Sequence, residues 1–446
     1  IAFSTTERVY VVSGSSSGFK QSSFVINNSS RALIIELSSI FSSTTPIVSA
    51  GGDLNGDGLD ELVIKRDETV WVVMGALNAT TIPPTTVSLS SLMDGVHGFS
   101  ITNQPSSQAL GIGDINQDGC DELSVSDPDH NRVCIVFGHH GTWSVITQCE
   151  TYFTSGYGAS LGNGQTVTKR EGGDVNGDAV GDVIISESVT GYVFVILGSN
   201  GLSSSLPIIR FGTDCDGFKI AKYLDTSWYA MAVGIIGDVN GDNFDDLVIT
   251  GTDKSTYLVF GQSTFPDVLE LPEFTGASGV QLANCPHVVG ADMNGDHFID
   301  LLCRQDDGSV SLVYGHTMPW PSTITLPNDG MLINGVRADS FANAGDVNGD
   351  SFEDLIILPY TNSRSVTVLF GIAPLVISKN ILTLHQGDVI TLSPVDNLNV
   401  IGNTTYDLVL KIISVSHGSF SNTESSGLSI TNFTLDDLNA GHILHA

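Results

Sequence analysis

Six segments of the sequence set carboxylate and amide side chains at alternate positions of a short loop and then turn apolar. They read GDLNGDGLDELVI from Gly52, GDINQDGCDELSV from Gly113, GDVNGDAVGDVII from Gly173, GDVNGDNFDDLVI from Gly237, ADMNGDHFIDLLC from Ala291 and GDVNGDSFEDLII from Gly345. Counted from the first Asp, the oxygen-bearing side chains stand at positions 1, 3, 5 and 9. The first three loops supply Asp53, Asn55, Asp57 and Glu61; Asp114, Asn116, Asp118 and Glu122; and Asp174, Asn176, Asp178 and Asp182. The last three supply Asp238, Asn240, Asp242 and Asp246; Asp292, Asn294, Asp296 and Asp300; and Asp346, Asn348, Asp350 and Asp354. Alternate positions of a tight turn project to one side, so positions 1, 3 and 5 can converge. Gly at position 4, present in five of the six loops, lets the backbone fold back. Position 7 offers a backbone carbonyl, and position 9 returns a carboxylate at the start of the next apolar run.

Converging oxygens, several of them charged, suit a hard cation. Calcium takes about 6–8 oxygen ligands in a tolerant geometry, whereas magnesium demands a stricter octahedron and keeps more water. No His or Cys stands at positions 1, 3, 5 or 9, which argues against zinc or copper. The helical EF-hand loop opens in the same way but closes with Glu at its twelfth position. Here the closing acid is at position 9 and β-branched residues follow, so a static hairpin clamp is expected rather than a helical switch. One such turn alone is most simply a solvated Asx-turn. Six in register, each with the ninth acid, point to up to six bound Ca²⁺. Six divalent ions add twelve positive charges, which would move the formal net charge from −32 to −20.

The elements that hold these loops recur in step with them. The first Asp of each loop falls at 53, 114, 174, 238, 292 and 346, giving steps of 61, 60, 64, 54 and 54 residues. Seven apolar strands ending in Gly alternate with the loops: RVYVVSG, VWVVMG, RVCIVFG, YVFVILG, YLVFG, SLVYG and VTVLFG. A third element opens on a glycine or aromatic pair: GFSI (98–101), GYGAS (156–160), GFKI (217–220), GVQL (279–282) and DSFAN (339–343). Each unit therefore reads as strand, acidic loop, strand, short turn, strand, then a longer variable loop and a fourth strand. Four antiparallel strands at this interval predict a β-propeller blade, and seven Gly-terminated strands predict seven blades. Residues 1–4 and 8–14 would be the second and third strands of the first blade. Its first strand would come from before Ile1 or from the C-terminal side.

Composition agrees with an all-β chain rich in turns: 446 residues with 41% hydrophobic content and 48 Gly. Asp and Glu number 49 against 17 Lys and Arg, which speaks against nucleic acid and against attraction to an anionic membrane. No apolar run approaches the ~20 residues of a membrane span. The chain opens on Ile1, as a processed chain or a fragment would. Sequons at Asn27, Asn28, Asn78, Asn403 and Asn432 fit N-glycans on a secreted or cell-surface protein. The six cysteines, at 120, 134, 149, 215, 285 and 303, are even in number and lack C-x-x-C spacing. Cys285 and Cys303 flank one acidic loop, which permits a disulfide across a strand pair; buried free thiols are the other reading for the set.

The repeated D-x-N-G-D-x-x-x-D-L loop, with GYGAS at 156–160 as a Phe-Gly-like strand opening, resembles the FG-GAP repeat family. That family includes the seven-bladed propeller of integrin α-subunit heads. The resemblance spans about residues 1–374 and implies a seven-bladed, calcium-binding propeller. The Gly-Ala-Pro half of the family pattern is missing, since IKRDE, SVSDPD, ISESV, ITGTD, CRQDD and ILPYT stand in its place. Integrin-type partner recognition is therefore not carried over. From residue 377 the acidic loops stop. Residues 377–446 are similar to a cadherin-like or chondroitin-sulfate-proteoglycan-type repeat, ending in FTLDDLNAG, and read as a β-sandwich module that is cut short.

No G-x-S-x-G, P-loop or H-E-x-x-H motif occurs, and the loop carboxylates are claimed by metal, so no enzyme and no catalytic residue is expected. The expected function is an extracellular adhesion, scaffold or assembly module that contacts a protein partner or further copies of itself. A carbohydrate-binding propeller is the alternative, and a glycan-active enzyme stands behind both. The four Trp (71, 143, 228 and 320) read as occupying different places in their units, which disfavours a repeated sugar site.

Overall fold

A computed structural model describes residues 2–12, 32–37, 44–75, 85–104, 108–127, 132–148, 158–162, 165–166, 173–187, 192–199, 202, 208–209, 217–222, 230–271, 276–359 and 367–371, followed by seven short strand segments between 376 and 445. The regular structure of the described residues is almost wholly strand; the one helix among them is the single turn Leu89–Leu92. It divides into two units, one of residues 1–292 and 296–370 and one of residues 293–295 and 371–446.

The first unit is a succession of antiparallel sheets built from the predicted elements. In the second sheet Ile47–Ala50 leads through the first acidic loop into Leu62–Arg66, then Thr69–Val73, then Gly98–Thr102. The third runs Ala109–Gly111, Leu123–Asp127, Arg132–Val136 and Gly158–Gly162, and the fifth Ala230–Gly237, Asp246–Gly251, Thr256–Val259 and Gly279–Ala283. The first strands of consecutive sheets pack against one another in order, as Ile47–Ala50 does on Ala109–Gly111 and Ala230–Gly237 on His287–Ala291. Four-stranded antiparallel sheets stacked in this way are the blades of a β-propeller.

Four features depart from the sequence expectation or add to it. The variable loop carries a strand of its own, which pairs in parallel with the outer edge of the preceding sheet. Thr85–Ser88 lies beside Ala32–Glu36, Ile146–Thr147 beside Gly98–Thr102, Ile208–Ile209 beside Gly158–Gly162, Val268–Leu271 beside Gly217–Lys222 and Thr323–Thr325 beside Gly279–Ala283. These five fourth strands are thus covered by chain from the next unit, which removes a free edge. Second, DSFAN is not a fourth strand. It lies in the long strand Met331–Gly345, which pairs at its start with Ser309–Val313 and at its end with Asp354–Pro359, fusing the last two strand groups into one six-stranded sheet. Third, the first sheet runs Ala2–Ser4, Arg8–Val12, Ala32–Glu36 and Thr85–Ser88, and among the described residues no strand lies inside Ala2–Ser4.

The fourth departure concerns tryptophan. Trp143 and Trp320 occupy equivalent places, each five residues after the Gly that ends a third strand, Gly138 and Gly315. Each stacks on the His following that Gly, His139 at 4.0 Å and His316 at 4.2 Å between ring centroids. Trp143 also lies flat on Phe99 at 4.4 Å, and Phe265, before Val268–Leu271, stacks on Phe218 of Gly217–Lys222 at 4.0 Å. Both tryptophans are buried, so they close the sheet's outer end rather than face solvent. Trp228 lies outside the described residues.

Apolar side chains of neighbouring sheets interdigitate between them. One cluster joins Val63, Val72 and Phe99 of the second sheet to Leu123, Val125 and Cys134 of the third, and another joins Ile184 and Val195 to Val233 and Leu247. Cys285 and Cys303 form a disulfide, with Cα atoms 5.3 Å apart. Cys134 is also disulfide-bonded, Cys120 is a buried free thiol, and Cys149 and Cys215 lie outside the described residues.

In the second unit the described strands pair antiparallel: Val376–Lys379 with Asn399–Ile401, Val409–Lys411 with Asn432–Thr434, and Ile443–His445 between Ile390–Thr391 and Phe420–Asn422. Of the sequons, Asn432 begins a strand, while Asn27, Asn28, Asn78 and Asn403 lie outside the described residues.

Phe99 is fully buried and stacked on Trp143 between two sheets. Phe99→Ala should therefore lower stability by about 3–5 kcal/mol in denaturant unfolding, and a loss below ~1 kcal/mol would contradict this packing.

Candidate metal centres

Each acidic loop connects the first and second strands of its sheet and is wound by its own carboxylates. In the third loop Asp174 Oδ1 accepts the N–H of Gly177 at 2.6 Å and of Asp178 at 3.0 Å, and Oδ2 accepts that of Ala179 at 2.7 Å. Asp178 Oδ1 takes the Val180 N–H at 2.9 Å, and the Asn176 amide donates to Asp178 Oδ2 at 3.0 Å. The bonds from the N–H groups of positions 6 and 7 recur with Asp53 and Asp57, Asp114 and Asp118, Asp238 and Asp242, and Asp346 and Asp350. In the fifth loop Asp292 accepts from His297 N and Asp296 from Phe298 N, both at 3.0 Å, while Met293–Gly295 group with the second unit.

This winding needs two left-handed residues, and the sequence pointed to one. Position 4 has positive φ in every loop, including the non-Gly Gln117 at 58°. Position 6 does so as well, at Gly58, Gly119, Ala179, Asn243, His297 and Ser351, with φ from 64° to 86°. Only two of those residues are Gly, so composition hid the requirement; Asp174 Oδ2 bonded to Ala179 N shows what sustains it.

The ninth-position acid is the deepest member of each set. Glu61, Glu122, Asp182, Asp246, Asp300 and Asp354 are all 2% exposed or less, at the start of a strand lined with Val, Ile and Leu. Neutral backbone groups meet them. The N–H of position 2 donates to one oxygen, as Ile115 does to Glu122 at 2.8 Å, Val175 to Asp182 at 2.8 Å and Val239 to Asp246 at 2.8 Å. The Gly ending the third strand donates to the other, as Gly198 does to Asp182 at 2.8 Å, Gly261 to Asp246 at 2.9 Å and Gly315 to Asp300 at 2.9 Å. The Gly at the end of each third strand is therefore part of the site.

Burial makes these carboxyls reluctant to ionise. Desolvation, reinforced by neighbouring loop aspartates and only partly offset by backbone N–H donors, pushes Glu61 and Asp182 up to about 7 and Glu122 up to about 9. Asp246 is raised well above the ordinary carboxylate range for the same reason. Among the described residues no lysine or arginine forms an ion pair with Glu61, Glu122, Asp182 or Asp246.

The residues fit a hard cation. Asp53, Asp57 and Glu61 bring one carboxylate oxygen each within 4.8 Å of one another, the one such trio among the described residues. In the same loop Asn55 Oδ1 is buried and has no hydrogen-bond partner, while its Nδ2 donates to Asp57 Oδ2 at 3.1 Å and Glu61 Oε1 at 3.4 Å. In the second, third, fourth and sixth loops the Asn amide also faces the position 5 carboxylate, at 2.9–3.1 Å. A polar N–H thus stands among the acids where positive charge is needed. The donor set is oxygen throughout, which suits calcium rather than a softer metal. The histidine pair at the end of the third sheet's third strand also reaches the first loop: His140 Nδ1 lies 2.7 Å from Asn55 O.

No protein-family model and no curated protein matches the chain. Among solved structures, 146 chains match. One belongs to a crystal structure of BBS1N in complex with ARL6DN, at 8% identity and TM-score 0.39, covering 81% of this chain and 92% of the other. Another belongs to the yeast heterotrimeric Nup82-Nup159-Nup116 nucleoporin complex, at 10% identity and TM-score 0.43, covering 82% and 96%. Likenesses this distant carry no function to this chain.

The raised carboxyls set a pH dependence. A folded-state pKa above the unfolded value gives stability that is full below about 4.5 and lost as pH rises through the folded value. Metal-free protein should therefore melt at progressively lower temperature as pH rises from 5 through about 7 and on to about 9. In saturating calcium the decline should vanish, because the ion replaces the proton. Parallel Tm–pH curves with and without calcium would contradict the assignment.

Proposed function

We propose that the chain is a calcium-stabilised, seven-bladed propeller of the FG-GAP type, followed by a β-sandwich module, acting as an extracellular adhesion, scaffold or assembly unit. The observation that supports the calcium reading is the recurrence, in six loops, of a buried ninth-position acid that closes a loop bearing oxygen side chains at positions 1, 3 and 5. Asp53, Asn55, Asp57 and Glu61, and their counterparts in the other five loops, would hold the ions through oxygen. The bound ion supplies charge compensation for the buried acids; the loop backbone supplies the shape. The seven-blade count treats Met331–Gly345 as the fourth strand of one blade running into the first strand of the next. A calcium requirement suits the extracellular space, where the ion is abundant, and the sequons agree with it.

The chain is strongly acidic, and no helix of the described residues is long and apolar enough to cross a membrane. The contact is therefore read as protein to protein, with a partner or with further copies of this chain. The carbohydrate-binding alternative lacks a repeated exposed aromatic platform among the described residues, because Trp143 and Trp320 are buried. The loop carboxylates are assigned to metal in this reading, and no catalytic role is proposed.

Thermal unfolding of the full chain in calcium and in EGTA tests the stabilising role. Removal of calcium should lower Tm by ~10 °C or more, since several sites each add RT ln(1 + [L]/Kd) to the native state. Equal melting temperatures would overturn it. Light scattering and electron microscopy of native material test the assembly role, with filaments or membrane-tethered heads expected. Isolated monomers that are retained on immobilised glycans would favour the alternative.

A further inference from the structure

Each acidic loop is tied to the loop of the preceding sheet, and the ties are of two kinds. In all five consecutive pairs the N–H at position 8 donates to the carbonyl of the preceding loop's first Asp. The bonds are Asp121 to Asp53 at 2.9 Å, Gly181 to Asp114 at 3.2 Å, Asp245 to Asp174 at 2.9 Å, Ile299 to Asp238 at 2.9 Å and Glu353 to Asp292 at 2.9 Å. In three of these pairs position 8 is acidic, and its carboxylate accepts a bond in return. Asp53 N donates to Asp121 Oδ2 at 2.8 Å, Asp174 N to Asp245 Oδ2 at 2.8 Å and Asp292 N to Glu353 Oε2 at 2.7 Å. Doubly tied pairs therefore alternate with singly tied ones.

The residue before each doubly tied Asp is matched to the arm that passes it. A Cβ on Gly52 would stand 2.5 Å from Asp121 Oδ2, and one on Gly173 would stand 2.5 Å from Asp245 Oδ2. In the third pair the preceding residue is Ala291, and the carboxylate is carried on the longer Glu353. Asn343 Nδ2 braces that carboxylate at 2.9 Å. These three acids stand outside the 1, 3, 5 and 9 ligand set.

We propose that Asp121, Asp245 and Glu353 are positioning residues that fix the first metal ligand of the preceding loop, Asp53, Asp174 and Asp292, so that the six calcium loops work as three coupled pairs. The proposal rests on the calcium reading above. A ligand whose N–H and C=O are both clamped from the neighbouring sheet presents its carboxylate already oriented, which lowers the ordering cost of binding. Loops joined only through Gly181 or Ile299 lack the returning carboxylate, and calcium in one has less effect on the other.

A double-mutant cycle read by calorimetric calcium titration of the full chain tests this. Asp57→Ala should remove one site, in the first loop. Asp121→Ala, in the second loop, should weaken one site about tenfold, the loss of one charge-assisted hydrogen bond. The double variant should bind as Asp57→Ala alone does, because both changes act on the same site. An additive cycle, with a second site weakened in the double variant, would overturn the pairing while leaving the calcium reading intact. Asp121→Asn keeps an oxygen for the Asp53 N–H and should bind within about twofold of wild type; binding as weak as that of Asp121→Ala would also overturn the proposal. Should Asp121→Ala fail to fold, the cycle of Asp178→Ala with Asp245→Ala reads the second pair in the same way. A wild-type chain that takes up no calcium overturns the calcium reading and the pairing together.

Discussion

A carboxylate held in an apolar sheet and met by neutral backbone donors is the constraint on which this structure turns. Glu61, Glu122, Asp182, Asp246, Asp300 and Asp354 enter strands whose other residues form the core between sheets. Two backbone N–H donors soften the burial but do not supply charge. Everything in the loop follows from that need. Positions 1, 3 and 5 bring more oxygen to the same place, the left-handed residues at 4 and 6 fold the backbone around it, and the Gly at the end of the third strand approaches close enough to donate. Proton or cation must complete the site, and oxygen-only ligands select a hard cation.

The loops also do the work of joining sheets. Their first carbonyls accept N–H groups from the next loop, and their second carbonyls accept from the residue after the next sheet's third-strand Gly, as Leu54 does from His139 and Val175 from Gln262. At the opposite end of each sheet the parallel strands such as Thr85–Ser88 and Thr323–Thr325 carry chain from one unit to the edge of the one before. The loops at the strand ends and the parallel strands along the last edge thus tie sheets together in the same direction along the chain. Apolar packing between the sheets is then left to fill volume rather than to set register.

What was legible in the sequence was whatever repeats at fixed spacing. The six loops, the Gly-terminated third strands and their order along the chain could be read because each residue in them has a narrow physical role. The parallel edge strands escaped notice because Ile146–Thr147 and Ile208–Ile209 are two residues long and carry no alternation. The continuity of Met331–Gly345 was hidden by the Asn334–Gly335 pair, which reads as a turn and yet sits within a strand. The equivalence of Trp143 and Trp320 shows only when the two are compared with each other at Gly138 and Gly315, because Trp71 within a strand masks it in a reading of all four tryptophans together. The acids at position 8 have no role in the sequence reading. Asp121, Asp245 and Glu353 act across sheets, and a contact between residues 68, 71 and 61 positions apart leaves no local pattern.

The most direct test of the account is a count of bound metal. Protein equilibrated with calcium, freed of unbound ion by exhaustive desalting and analysed by inductively coupled plasma mass spectrometry should retain close to six Ca²⁺ per chain, and no zinc or copper. Retention of none, with the chain still folded, would contradict it, because the six buried acids would then be satisfied by protons and backbone alone.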